Sequence, residues 1–281
     1  MPEAVFDPLG RRWILLAPER ARRGAPEVEP TPDDPEPCDF CAGRESRTPP
    51  ETAAVRPHDT RADAPGWTVR AFPNLYPAAP FHEVVVHTPD HRRRLEDLDH
   101  GRDVWGVYQE RARAADTAAV VPIINRGRAA GGSRTHDHGQ LFGLDVVPPV
   151  LERESLGDDC AVCSLGEEIE RVGDVTAVVH PAPTVTDEIV IAGPHEPRFE
   201  DTDRLADFSD ALADVLRRLR TTRGDALPFN VVVHTAPRGV ESFHWHTHVM
   251  PRTAVWGGLE VGTELPIVAA DPAETARTLR A

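Results

Sequence analysis

The chain contains no lysine. All 31 of its fixed side-chain cations are arginine, set against 46 aspartate and glutamate residues, for a formal net charge of −15 over 281 residues. That balance excludes a broad phosphate-binding face for nucleic acid, while a local basic pocket is compatible with it. No apolar run approaches the ~20 residues of a membrane span, so no membrane partner is expected. The opening residues, Met1-Pro-Glu-Ala, lack a basic-then-apolar leader pattern, and a cytoplasmic location is expected. Cysteine is scarce: the four present occur only as Cys38-x-x-Cys41 and Cys160-x-x-Cys163. Without an export signal, thiols paired at this spacing favour metal over disulfides. A redox pair would open a helix in a thioredoxin-like βαβ unit, and none is apparent.

Those cysteines belong to a pattern that runs through the chain twice. Cys38, Cys41, His91 and then His136-x-His138 fill the first part; Cys160, Cys163, His195 and then His246-x-His248 fill the second. His91 and His195 each follow a short β-branched run in similar surroundings. The pattern reads as a duplicated domain, residues 1–150 and 151–281, with a boundary near residues 148–158. One metal site per copy is expected, and one copy also carries the chemistry.

Residues 84–87, 120–125, 188–192 and 229–234 read as strands. Residues 97–116 show a weak helical pattern through Leu98, Val104, Val107 and Tyr108. Residues 204–220 show a stronger one: Leu205, Phe208, Leu212, Val215, Leu216 and Leu219 form a stripe opposite Asp and Arg. Asp201 to Asp203 suit the cap of that helix. The acidic, proline-rich residues 24–37 read as an extended surface segment, and residues 46–66 as loop. Strands grouped around one helix per half predict an α+β fold: two tandem halves, each an antiparallel sheet with a packed helix.

The densest stretch runs from Asn125 through Gly131, Gly132, Ser133, His136 and His138 to Gln140. A strand period of two puts His136 and His138 on one face. The glycines permit positive φ and bring backbone N–H groups close to an anion. Ser133 adds a hydroxyl donor and Gln140 an amide. Two imidazoles beside a donor-rich turn suit attack on phosphorus: a neutral imidazole takes a phosphoryl-type group and releases it again, splitting one displacement into two.

On these residues the chain resembles the galactose-1-phosphate uridylyltransferase family, within the larger histidine-triad group. The resemblance includes Cys38–Gly43, Val69–Pro77, Thr88–His91, Asn125–Gln140 and Phe243–Arg252. It implies that His138 is the nucleophile and forms a covalent nucleotidyl-histidine. It implies a zinc site of Cys38, Cys41, His91 and His136. Asn74, Asn125, Gly132, Ser133 and Gln140 match positions that hold the nucleotide and its α-phosphate, and Glu260 matches a sugar-contacting glutamate. A family lysine upstream of Glu260 is missing, with Ala254 near that place, and Asp137 replaces the usual proline of His-Pro-His.

One branch of the family builds its second metal site from Glu and three His, matched here by Glu154, His234, His246 and His248. Another, resembling plant-type ADP-glucose phosphorylases, uses a second C-x-x-C and two His. With the internal repeat as guide, Cys160, Cys163, His195 and His246 are expected, holding zinc or iron. His248 is expected as structural, or as a ligand in the rival set; His234 is expected to touch substrate, to fill a strand end, or to join that rival set. His58, His82, His87, His100 and His180 fit no pattern and read as surface or packing residues, and Arg92-Arg93-Arg94 as a solvated run.

The expected function is a nucleotidyltransferase acting on a nucleoside diphosphate sugar and a hexose 1-phosphate, with ping-pong kinetics and a homodimeric assembly. The alternatives are a phosphorylase with inorganic phosphate as acceptor, a histidine-triad-type hydrolase and a catalytically inactive nucleotide-binding protein.

Overall fold

In a computed structural model, residues 3–23, 33–155 and 160–281 are described. Most of the extended segment expected at 24–37 and part of the boundary expected at 148–158 lie outside the described residues. The chain opens with a hairpin, β1 (Glu3–Asp7) and β2 (Arg12–Leu16), and β13 (Ile267–Val268) joins β2 in parallel to make a three-stranded sheet. The other strands build one ten-stranded sheet: β3 (Ala53–Val55), β4 (Val69–Pro73), β5 (Phe81–Val86), β6 (Ala119–Arg126), β7 (His138–Leu144), β8 (Glu167–Val172), β9 (Val175–Val179), β10 (Ile189–Ala192), β11 (Phe229–His234) and β12 (His246–Pro251). Their order is β3-β4-β5-β7-β6-β11-β12-β10-β9-β8. Every pairing within it is antiparallel.

Read inward from its two edges, the large sheet shows one order twice: β3-β4-β5-β7-β6 and β8-β9-β10-β12-β11. The two runs meet where β6 bonds β11, with Asn125 opposite Asn230. In each run a long helix follows the third strand: α1 (Gly101–Ala114) after β5 and α3 (Leu205–Arg223) after β10. The shorter helices are α2 (Pro149–Glu154), α4 (Gly258–Thr263) and α5 (Pro272–Arg280). This is the α+β arrangement of antiparallel sheet and packed helices that the sequence implied.

α1 and α3 bury residues of the stripes read from sequence, Val104, Val107 and Tyr108 on one, joined by Trp105 and with Leu98 left outside the helix, and Leu205, Phe208, Leu212, Val215 and Leu219 on the other. Burial of each such side chain contributes roughly 1.5–3 kcal/mol. Aromatic rings join the helices to the sheet: Trp105 lies edge-on to Phe208 at 4.9 Å, and Phe208 to Trp245 at 5.4 Å. Trp245 faces this helix-side core, so alternation sends its neighbours His244 and His246 to the opposite face.

Two local readings need correction. Residues 46–66 contain β3, a strand of three residues; the prolines and glycine on either side hid it. The cap of α3 is Arg204, with no side-chain cap. Asp201 ends a separate 3-10 turn, and Asp203 pairs with the Arg204 guanidinium at 3.2 Å.

Candidate active site and metal-ligand clusters

Cys38 and Cys41 share one turn, and their sulfurs are 3.7 Å apart. His136 Nδ1 lies 3.3 Å from the Cys38 sulfur and 3.7 Å from that of Cys41, and His91 Nδ1 lies 3.5 Å from Cys41. All four ligand atoms fall within 4.8 Å of one another. Two sulfurs at about 2.3 Å from a tetrahedral centre would be roughly 3.75 Å apart, so the donor set and spacing fit zinc. His136 Nε2–H donates to the Thr88 carbonyl at 2.8 Å, which leaves Nδ1 as the ligand nitrogen. Burial pushes the Cys38 thiol up to about 11, so a bound dication is what would hold it as thiolate.

β7 starts at His138. Its Nδ1–H donates to the His136 carbonyl at 2.8 Å, leaving the lone pair on Nε2. Burial pushes the imidazolium down to about 4, against the opposing pull of that backbone bond. The ring is therefore neutral at pH 7, the form a nucleophile needs. Phe40 packs edge-on to it at 5.2 Å. Gln140, the next residue on this face, accepts at Oε1 from His82 Nε2 at 2.7 Å. Asn74 Nδ2 lies 3.2 Å from the same His82 nitrogen. The structure thus gathers His138, Gln140 and Asn74 through His82, a residue read from sequence as packing.

The glycine-rich turn departs from expectation. Gly131 has φ +81, as anticipated, but its N–H donates to the Arg128 carbonyl at 3.0 Å, and that of Gly132 to the Gly127 carbonyl at 2.9 Å. A Cβ at Gly132 would lie 2.6 Å from the Asn125 carbonyl oxygen. These glycines close the turn rather than offer donors, and Ser133 is the exposed polar residue that follows. Asn125 is fixed from the other half: Asn230 Nδ2 donates to Asn125 Oδ1 at 2.7 Å and to the Ala130 carbonyl at 2.8 Å.

In the second half the expected ligand set is wrong in one member. Cys160, Cys163 and His195 assemble with His244, not with His246. His244 Nδ1 lies 3.3 Å from the Cys160 sulfur and 3.5 Å from that of Cys163, and His195 Nδ1 lies 3.3 Å from Cys163. His244 Nε2–H donates to the Gly193 carbonyl at 3.0 Å, as His136 does to Thr88. His246 Nδ1–H donates to the His244 carbonyl at 2.8 Å, as His138 does to His136. The repeat therefore sets His244 against His136, and His246 against His138.

His246 joins a third group with Glu154, His234 and His248. His234 Nδ1 is 3.0 Å from Glu154, and Glu188 fixes His248 by accepting from its Nδ1 at 2.7 Å. The Nε2 atoms of His246 and His248 are buried with no hydrogen-bond partner among the described residues. Burial alone would raise the Glu154 carboxyl; the three imidazoles outweigh it and hold it at about 2. The two arrangements expected as rivals, one cysteine–histidine and one glutamate–histidine, are thus separate clusters within one chain.

Comparison with known proteins places this geometry. No protein-family model matches the chain. An ADP-glucose phosphorylase from Arabidopsis thaliana is 28% identical, over 99% of this chain and 92% of that protein. A galactose-1-phosphate uridylyltransferase from Haemophilus influenzae is 26% identical, over 94% of this chain and 88% of that one. The crystal structure of the Arabidopsis phosphorylase with bound ADP-glucose superposes with a TM-score of 0.87, covering 100% of this chain and 98% of its own. A uridylyltransferase mutant, 25% identical, superposes at 0.75 over 88% of this chain and 96% of its own. Over nearly its whole length the chain is similar to members of the galactose-1-phosphate uridylyltransferase family.

The uridylyltransferase-family pattern puts Asp137 in relief. Its buried carboxylate accepts from His87 Nδ1 at 2.6 Å and from the Leu95 N–H at 3.1 Å, and pairs with Arg126. Burial opposes the charge, but Arg126 and His87 outweigh it and hold the carboxyl well below its ordinary range. The Tyr108 hydroxyl lies 3.1 Å from His87 Nε2, so the network ties the His-x-His strand to α1. Glu260, matched to the family's sugar contact, lies on α4 and binds the Gly257 N–H at 2.9 Å. α4 borders Arg11, Trp13 and Arg153 rather than the His138 group. The Arg92–Arg94 run is paired: Arg92 with Glu36, and Arg94 with Asp225, each at 2.7 Å.

Proposed function

We propose that this protein transfers a nucleotidyl group from a nucleoside diphosphate sugar through a covalent intermediate on His138. The observation that carries the reading is the Nδ1–H bond of His138 to the His136 carbonyl, which leaves Nε2 as the attacking nitrogen. Nε2 attacks the α-phosphorus, the bond to the bridging oxygen breaks, and sugar 1-phosphate leaves. An oxygen of the acceptor then attacks the same phosphorus, and the P–N bond breaks to restore neutral His138. Ping-pong kinetics follow. Asn74, Asn125, Ser133 and Gln140 hold the nucleotide and its phosphates in this reading; Gly132 shapes the turn. Glu260 contacts the sugar only if a partner chain brings it to the site.

Hexose 1-phosphate is the acceptor of a uridylyltransferase-like enzyme. The Cys160, Cys163, His195 and His244 cluster, together with the likeness to ADP-glucose phosphorylase, supports a second reading in which inorganic phosphate is the acceptor and a nucleoside diphosphate the product. Zinc held by Cys38, Cys41, His91 and His136 would fix the strand that carries His138; four protein ligands leave no open position for substrate. The second thiolate cluster fits zinc as well. The orphaned imidazole nitrogens beside Glu154 support a further cation there, zinc or iron.

Residues 1–150 and 151–281 act in this reading as two histidine-triad-like halves, the first carrying the nucleophile. Among the described residues no helix is long and apolar enough to cross a membrane, and we place the enzyme in the cytoplasm as a homodimer. Exposed Trp13, Val255 and Val261 support a partner surface. Intact-protein mass after incubation with UDP-glucose, ADP-glucose and GDP-mannose in turn is the test. One mononucleotide adduct, absent in His138→Ala, is expected. Steady mononucleotide release with no adduct and no acceptor would replace transfer by hydrolysis. Nucleotide binding without adduct or exchange would leave a binding protein.

A further inference from the structure

His82 carries no sequence signal, yet it occupies a central place on the face that presents His138. It lies on β5 directly opposite Phe142 of β7, and the two rings stack at 4.0 Å. His138, Gln140 and Phe142 alternate along β7 onto that face, so His82 covers the residues just beyond the nucleophile.

The partners of the ring fix its tautomer. The Ala78 N–H donates to His82 Nδ1 at 3.0 Å, so Nδ1 is an acceptor. The ring proton of that tautomer is on Nε2, 2.7 Å from Gln140 Oε1. A carboxamide whose oxygen is engaged has its NH2 end left for another partner. Without this bond the Gln140 amide is free to turn over and present oxygen, which repels a phosphoryl oxygen, in place of nitrogen, which binds it. The same ring touches Asn74, whose Oδ1 accepts from the Tyr76 N–H at 2.9 Å and whose backbone N–H donates to the His82 carbonyl at 2.8 Å. The imidazole thus braces the Gln140 carboxamide from behind, while the His82 carbonyl holds the Asn74 backbone.

We propose that His82 is a positioning residue for nucleotidyl transfer: its Nε2–H orients the Gln140 amide so that the NH2 end faces the phosphoryl group attacked by His138. The inference rests on the reading of His138 as nucleophile. It concerns a side chain that acts through Gln140.

Two substitutions separate this role from packing. His82→Phe keeps a ring on Phe142 and removes the donor. His82→Gln removes the ring and keeps an N–H donor near the Nε2 position. The rate of adduct growth on His138 is followed by intact mass in single turnover, using whichever of ADP-glucose and UDP-glucose labels the wild type. In parallel, calorimetry compares AMP and UMP with adenosine and uridine. His82→Phe is expected to slow labelling about tenfold to a hundredfold and to weaken mononucleotide binding about tenfold, with nucleoside binding little changed. His82→Gln is expected to retain labelling within about threefold, although it loses the stacked ring. Labelling and mononucleotide affinity of His82→Phe at wild-type levels would overturn the proposal. So would an equal fall in both variants, which is the signature of lost packing. If neither donor labels the wild type, the transfer reading fails instead. The mononucleotide affinities then still decide for or against His82.

Discussion

Asn230 gives both hydrogens of its amide to the glycine-rich turn after β6, one to Asn125 Oδ1 and one to the Ala130 carbonyl. The bond crosses the junction of β6 and β11, where the two residues are opposite one another. The Asn125 amide is thereby set with its oxygen away from the site. Asn230→Leu removes the brace and should lower the rate of His138 labelling about tenfold, given roughly 1–3 kcal/mol for a lost partner. Asn230→Asp should do worse, because a carboxylate attracts the Asn125 NH2 and turns the amide over. Equal rates for the two variants would mean that orientation of Asn125 is irrelevant.

The depressed pKa of His138 sets the acid limb of the first half-reaction. Burial favours the neutral ring, so protonation of the free enzyme at this nitrogen waits until about pH 4. Labelling measured in single turnover after a pH jump should stay level from pH 8 to about pH 5 and fall below it. A limb between pH 6 and 7 would show an ordinary histidine at this position.

Asp137 should matter to stability more than to substrate binding. Asp137→Asn leaves Arg126 and His87 without their buried carboxylate, and breaking such a pair costs about 3–5 kcal/mol at neutral pH. The pH dependence follows from a carboxyl whose folded pKa is depressed below the ordinary 3.8. Its contribution is complete above that value and is lost as pH falls through it towards the folded pKa. Urea midpoints of wild type and variant should therefore differ most at neutral pH and converge in acid. A constant gap from pH 7 to pH 2 would assign the loss to shape rather than charge.

Metal content should divide by cluster. Elemental analysis of the purified protein is expected to find up to three bound ions per chain. Cys160→Ser with Cys163→Ser should remove one ion, and Glu154→Gln with His234→Ala another, leaving the Cys38 cluster loaded. Cys163 is exposed while Cys38 and Cys41 are buried, so a chelator should strip the second thiolate cluster first. Simultaneous release from both would contradict that order.

Much of this was written in the sequence where local chemistry decides. The stripe through Leu205 and Leu219, the β-branched strands and the Cys38-x-x-Cys41 spacing each follow from one rule acting over a few residues, whereas His91 and His136, 50 and 95 positions from Cys41, are reached through the family resemblance. The failures occur where partners distant in sequence decide. His244, His246 and His248 alternate along one extended run, so period alone offers two overlapping His-x-His pairs. Only the bond from His246 Nδ1 to the His244 carbonyl, copying that of His138, fixes the register. His82, Asn230 and Glu188 are invisible for the same reason. Each acts on a partner at least 58 positions away. Asp137 stood out as a missing proline, but its role needed Arg126, His87 and the Leu95 N–H to be brought around it.

The bonding of β6 to β11 has a consequence for the chain's integrity. Neither run of five strands has an inner edge of its own, because the inner strand of each completes its hydrogen bonds on the other. Either run expressed alone would present an open strand rich in Val and Ile, a template for pairing with any extended chain. The shared junction therefore makes the two runs interdependent: each shields the other's adhesive edge, so cutting the chain between them would expose both.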